Sequence, residues 1–205
     1  MNGDLLRAAI LRRLANLQRL NDAGEIARPT RRVFISYHHR DQAEVEEFIN
    51  AFDHERKVFT YRAVGVGMEP DIINSTNTDY VMRRIRELYL KDSTVTIVLI
   101  GRCTWARRYV DWEIQASLRG VGSQLPNGLI GIVLPSAGRK PILPHRLQLN
   151  IKGSNGDEGY ACCYWYPTRV DTLSNWIEDA FQARTKRAHL IVNPRERFSN
   201  NRPCP

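Results

Sequence analysis

The residues best suited to chemistry lie in the stretch 103–118, Cys-Thr-Trp-Ala-Arg-Arg-Tyr-Val-Asp-Trp-Glu-Ile-Gln-Ala-Ser-Leu. Tyr109 and Glu113 are four apart and therefore share one face of a helix, with Arg108 a near neighbour. A ring that stacks, a guanidinium that meets phosphate and a carboxylate that steadies positive charge are what a sugar-nucleotide site needs. The plain alternatives are a solvated helix acid at Glu113, a solvated pair at Arg107 and Arg108, and core or interface roles for Trp105 and Trp112.

The elements around this stretch decide where it sits. The apolar run Thr94-Val-Thr-Ile-Val-Leu-Ile-Gly101 precedes it directly. A buried strand, a glycine and then a helix place the first helical turns at the carboxyl end of a parallel sheet, where ligands bind in open α/β folds. The run Arg32-Val-Phe-Ile-Ser-Tyr37 reads as a central strand, and a helix follows to about Glu55, capped by Asp41 with Val45, Phe48, Ile49 and Phe52 inward. The spacing predicts strands over 57–64, 94–100, 129–134 and 160–166. Helices are expected over 78–91, 104–119 and 170–183, with an irregular stretch over 136–158. Alternating strands and helices imply right-handed crossovers and a flavodoxin-like, five-stranded parallel sheet in the order 2-1-3-4-5, helices on both faces. The switch point then lies between the first and third strands. Ser36, Tyr37, His38 and His39 should gather there with the Gly- and Pro-rich loop 65–77 and the start of helix 104–119.

At 205 residues, 42% hydrophobic and 25% charged, the chain suits one globular domain with extensions. An amphipathic helix over 4–20, with Leu6, Ile10, Leu14 and Leu17 on one stripe, forms an N-terminal unit 1–31 with its linker. The domain proper spans 32–184, and 185–205 reads as a basic, loosely ordered tail. The formal charge of +8 is concentrated at the ends. Seven Arg face three acids in 1–32, and six Lys or Arg face Glu196 in 184–205, whereas 33–183 holds 17 basic and 18 acidic residues. A nearly neutral middle argues against a nucleic-acid binder, which would carry a basic stripe on its folded surface. Cys103, Cys162, Cys163 and Cys204 show no paired spacing, so no metal site is expected and the thiols read as reduced, as in the cytoplasm. No apolar run approaches 18 residues, so no membrane span is expected.

Two of these stretches carry a family resemblance. Val33-Phe-Ile-Ser-Tyr37 resembles the opening strand of TIR domains, and Tyr109-Val-Asp-Trp-Glu113 resembles their third-helix motif, an aromatic four residues before the catalytic glutamate. The run from Val95 through Arg107-Arg-Tyr-Val-Asp-Trp-Glu-Ile is most similar to the TIR-like proteins of the Thoeris antiphage system. The likeness covers roughly 32–183, with Tyr109 where Trp is usual and Val110 where many members have Cys. It implies cleavage of NAD+ at the nicotinamide glycosidic bond, with Glu113 catalytic and Ser36, Tyr37, His38, Arg107, Arg108 and Tyr109 as substrate contacts. NAD+ is then substrate, and no cofactor is implied. The product would be a cyclic or conjugated ADP-ribose messenger read by a separate effector. Activation would come through self-association or a phage-derived partner, with loop 65–77 involved; separately from the resemblance, the apolar stripe of helix 4–20 needs a surface to bury it, either its own domain or a neighbouring chain. The rival reading is a TIR scaffold that acts only by binding other TIR domains.

Overall fold

A computed structural model describes residues 30–55, 57–62, 75, 77–120, 124–151 and 159–204. The helix expected over 4–20 and nearly all of the loop 65–77 lie outside these residues. Five strands form one all-parallel sheet: β1 (Arg31–Ser36), β2 (Phe59–Arg62), β3 (Val95–Ile100), β4 (Gly128–Val133) and β5 (Cys162–Trp165). Their spatial order is β2-β1-β3-β4-β5, the order expected from the alternation of elements. Every residue of β3 and β4 is buried. A parallel sheet covered on both faces requires such unbroken apolar strands.

Alternation along the strands divides the core. Val33 and Ile35 face the same side as Ile97, Leu99, Ile130 and Ile132, against Phe48, Phe52, Leu173 and Ile177. Those four belong to helix α1 (Gln42–Ile49), its π-helical continuation Asn50–His54, and the last helix α5 (Val170–Lys186). On the opposite face, Val98, Ile100, Leu129 and Val133 pack on Val110, Ile114 and Leu147. Phe34 packs there on Val81, Ile85 and Trp112. This layer contains α2 (Thr78–Ile85, continued as π-helical Arg86–Leu90), α3 (Arg108–Ser117) and the short α4 (His145–Gln148). Asn77 accepts the Tyr80 N–H at 3.0 Å and so caps α2, one residue ahead of the expected start. Gly128 is required where α5 crosses β4, because a Cβ there would meet the Ala180 carbonyl.

Three expectations change. The segment 104–119 is not one helix: a 3-10 turn, Thr104–Ala106, is followed by Arg107 in extended backbone (φ −97, ψ 121), and α3 begins at Arg108. The irregular stretch 136–158 contains α4, and α5 runs three residues further than the pattern gave, to Lys186.

The largest correction concerns the tail. Residues 193–204, expected to be loosely ordered, lie along the outer side of α3. Trp112 Nε1 donates to the Phe198 carbonyl at 2.9 Å, Gln115 Nε2 to Pro194 at 2.8 Å, and the Arg202 amide to Ala106 at 2.8 Å. Arg146 on α4 is buried and binds Asp111 of α3 through two hydrogen bonds of 2.9 and 3.3 Å. Its remaining N–H groups donate to Asn193 Oδ1 and to the carbonyls of Pro194 and Glu196. The tail is anchored mainly through its backbone carbonyls, a property that its Pro- and Arg-rich composition conceals.

Cys204 closes the strap on Cys103, with the two Cα atoms 5.7 Å apart. The expectation of four reduced thiols therefore fails for this pair, and with it the thiols' argument for a reducing compartment; Cys162 and Cys163 are free. The partners are 101 residues apart, so no local spacing announces them. Cross-linking so long a loop restricts the unfolded chain and is worth about 2–4 kcal/mol. Cys204→Ser is expected to lower the urea midpoint of the oxidised protein accordingly. Identical midpoints for the variant and the non-reduced wild type would show that the bond contributes nothing.

Among the described residues no helix is long and apolar enough to cross a membrane.

Candidate active site

Ser36 is the last residue of β1, and strand alternation puts it on the Phe34 side, facing α3. Glu113 lies in the second turn of α3, and the Ser36 hydroxyl donates to its carboxylate at 2.6 Å. The two motifs, 77 residues apart in sequence, thus meet through one short charge-assisted hydrogen bond. Glu113 keeps partial solvent access as a residue, yet its carboxyl group is enclosed. Burial raises its pKa to about 7, and the Ser36 hydrogen bond holds that rise in check. At neutral pH the group is poised between acid and carboxylate, a condition that marks many functional carboxyls.

Aromatic groups surround it. Tyr37 donates its phenol proton to Gln42 at 2.6 Å and lies within electrostatic reach of Glu113. Tyr61 of β2 is near both; burial first, then the Tyr37 and Glu113 charges, push its phenol up to about 12. His38 follows, almost fully buried and edge-on to His39, with ring centroids 4.3 Å apart. Burial, reinforced by His39, Arg107 and Arg40, lowers its pKa to about 4. It is therefore neutral at pH 7.

Asp41 completes the rim. It precedes α1 as expected, but its side chain makes no cap hydrogen bond. Instead it accepts from the Thr104 hydroxyl at 3.3 Å, and Thr104 in turn accepts the Gly101 N–H at 2.9 Å. A Cβ on Gly101 would run into the Asp41 carboxylate, so the glycine between β3 and the 3-10 turn is a condition of this packing.

The predicted contacts do not all converge. Ser36, Tyr37 and Glu113 are brought together, and Arg107 lies in electrostatic reach of His38. One Arg107 N–H, from Nη2, is used by the Arg202 carbonyl at 2.8 Å. Arg108 is engaged on the strap side: it donates to the Ser199 carbonyl and the Tyr109 hydroxyl, and its guanidinium lies over the Tyr109 and Trp112 rings. Tyr109 shares the Glu113 face of α3, but its ring packs edge-on to Trp112 beside the cluster that holds Phe34. These positions correct the expected convergence of Arg108, Tyr109 and Glu113: packing, not substrate geometry, occupies the first two. Tyr61, read before only as a strand residue, is the neighbour of Glu113 that sequence reasoning missed. The parallel pairing Val33↔Tyr61, which no local pattern fixes, places it there.

Removing the Ser36 hydroxyl deletes the one hydrogen bond that, among the described residues, favours ionised Glu113. Ser36→Ala should therefore raise the Glu113 pKa further, by about one to two units for a charge-assisted bond. A carboxyl carbon NMR titration reads this directly, and an unchanged midpoint would mean that the bond does not form in solution.

A family model described as the TIR-like domain of the Thoeris protein ThsB matches residues 34–139, from the second half of β1 to just beyond β4. The matched span contains Ser36, Tyr61 and Glu113. No curated protein matches the chain.

Proposed function

The chain belongs to the TIR-like domain family of the Thoeris protein ThsB, and from that premise we propose that it is an enzyme of antiphage defence that cleaves NAD+ at the nicotinamide glycosidic bond. The observation that carries this reading is the enclosed Glu113 carboxyl, raised to about 7 and held by Ser36 at the carboxyl edge of the sheet. In the reaction the C1′–N bond breaks, and its electron pair stays on the nicotinamide nitrogen. Nicotinamide leaves neutral, so no general acid is needed and a single carboxylate can suffice, unlike the carboxyl pair of ordinary glycosidases. Ionised Glu113 stabilises the ribosyl oxocarbenium ion. Tyr37 and Tyr61 offer aromatic surface beside it, and neutral His38 a hydrogen bond. Water or a nucleophile from the ADP-ribose itself then traps C1′, giving free or cyclic ADP-ribose; capture by another molecule gives a conjugate. A separate effector reads that product, and oligomerisation or an activating phage component turns the enzyme on.

The test is incubation of the full chain with NAD+, over a range of protein concentrations and with phage lysate. Chromatography follows nicotinamide, and mass spectrometry identifies the ribosyl product. Nicotinamide release with an ADP-ribose-derived product is expected. No release under any of these conditions would favour a TIR scaffold that works by binding alone.

A further inference from the structure

At the opposite end of the sheet, where β1, β3 and β4 begin, the chain forms a cleft of about 380 Å³. Among the described residues, six that line it are charged: Arg32, Arg86, Lys91, Arg119 and Arg184 against Asp92. The basic groups come from four places in the fold, namely β1, the end of α2 and its exit, the exit of α3, and α5, so they ring the cleft rather than line one helix. Asp92 stands 3.8 Å from Arg32 in an exposed pair and offsets one charge. The carboxyl ends of α2 and α3 also point here, and each contributes roughly half a negative charge. The sum remains strongly positive.

The floor is polar and fixed. Asn127 donates to Ser93 at 2.7 Å and to Thr96 at 3.2 Å, and Thr96 pairs with Ser117 at 2.8 Å. Arg184 is held in place by the Pro126 carbonyl at 2.9 Å. A concave cleft of this volume is of small-molecule size, and guanidinium groups match phosphate oxygens in pairs. A single phosphate would engage one side of such a ring; two joined phosphates can bridge it.

We propose that this cleft binds a small molecule bearing a pyrophosphate group, at a site separate from Glu113. The two sites lie at opposite ends of β1 and β3, roughly 15–20 Å apart at the rise of a strand.

Isothermal titration calorimetry on the full chain at fixed ionic strength tests this with orthophosphate, inorganic pyrophosphate and ADP. Wild type and Glu113→Gln should bind pyrophosphate alike and saturably, and orthophosphate more weakly. ADP tighter than pyrophosphate identifies a nucleotide as the source of the group; equal affinities identify free pyrophosphate. Lys91→Glu, at an exposed position, and Lys91→Glu with Arg119→Glu should weaken binding progressively, to about ten-fold or more in the pair. Circular dichroism and Tm must match wild type for the charge reversals to count, and Lys91→Glu alone serves if the pair is unstable. Unsaturable heats in the wild type, affinity indifferent to charge reversal, or binding lost in Glu113→Gln would each overturn the proposal.

Discussion

In Glu113→Gln, release of nicotinamide from NAD+ is expected to fall by about 10²–10³-fold, the usual effect of deleting a group that stabilises transition-state charge. The same substitution should make the folded protein more stable at alkaline pH. The carboxyl titrates near 7 in the folded chain, against an ordinary value of 4.5. Below pH 4.5 the group is protonated both folded and unfolded and carries no penalty. As the pH rises from 4.5 towards 7 the unfolded chain ionises freely while the folded chain keeps its proton, and above 7 the folded chain holds a poorly solvated carboxylate and the loss levels off. Wild type thus loses up to about 3 kcal/mol between these limits, a loss that glutamine does not share. Urea titrations at pH 4, 7 and 8.5 should show the variant gaining on wild type as the pH rises. A constant difference would contradict the buried titration, and undiminished turnover would remove Glu113 from the chemistry.

The second large effect is on the fold. Arg146→Ala leaves Asp111 buried without its partner and strips the strap of three hydrogen bonds. Breaking one side of a buried ion pair costs about 3–5 kcal/mol, which for a domain of this size lowers Tm by roughly 10 °C or more. Replacing both partners with apolar residues, Asp111→Leu with Arg146→Met, should lose less than the single variant, because no charge is then stranded. Thermal unfolding of wild type and the two variants decides it. A fall of under ~1 kcal/mol in Arg146→Ala, the size of an exposed pair, would show that this bridge is not sealed from water.

The sheet was legible because its strands are apolar throughout and separated by amphipathic helices; β3 and β4 are buried at every position, as their composition requires. The Ser36–Glu113 meeting was legible for the same reason, since Ser36 ends β1 and the helix that carries Glu113 follows β3, the strand beside it. Tyr61 was not, because pairing register is set by the whole sheet and not by β2. Arg108 and Tyr109 were misplaced for a related reason: helical spacing names a face, but what covers that face depends on distant residues, here Ser199 and the core around Phe34. Arg146 gave no signal at all. A lone arginine in a Pro-rich stretch looks solvated until the strap supplies the carbonyls that enclose it.

The strap also sets an order of events during biosynthesis. The helix that carries Glu113 leaves the ribosome long before Pro194, Phe198 and Cys204, which brace its outer side. At the usual pace of translation the intervening stretch takes roughly 5–20 s to appear. Within that interval β4, β5 and α5 follow and the nascent chain can complete its sheet, but it cannot finish seating α3. Only a polypeptide that extends through Cys204 acquires the braced helix, so a copy terminated or clipped before Pro194 would carry the motif without its support.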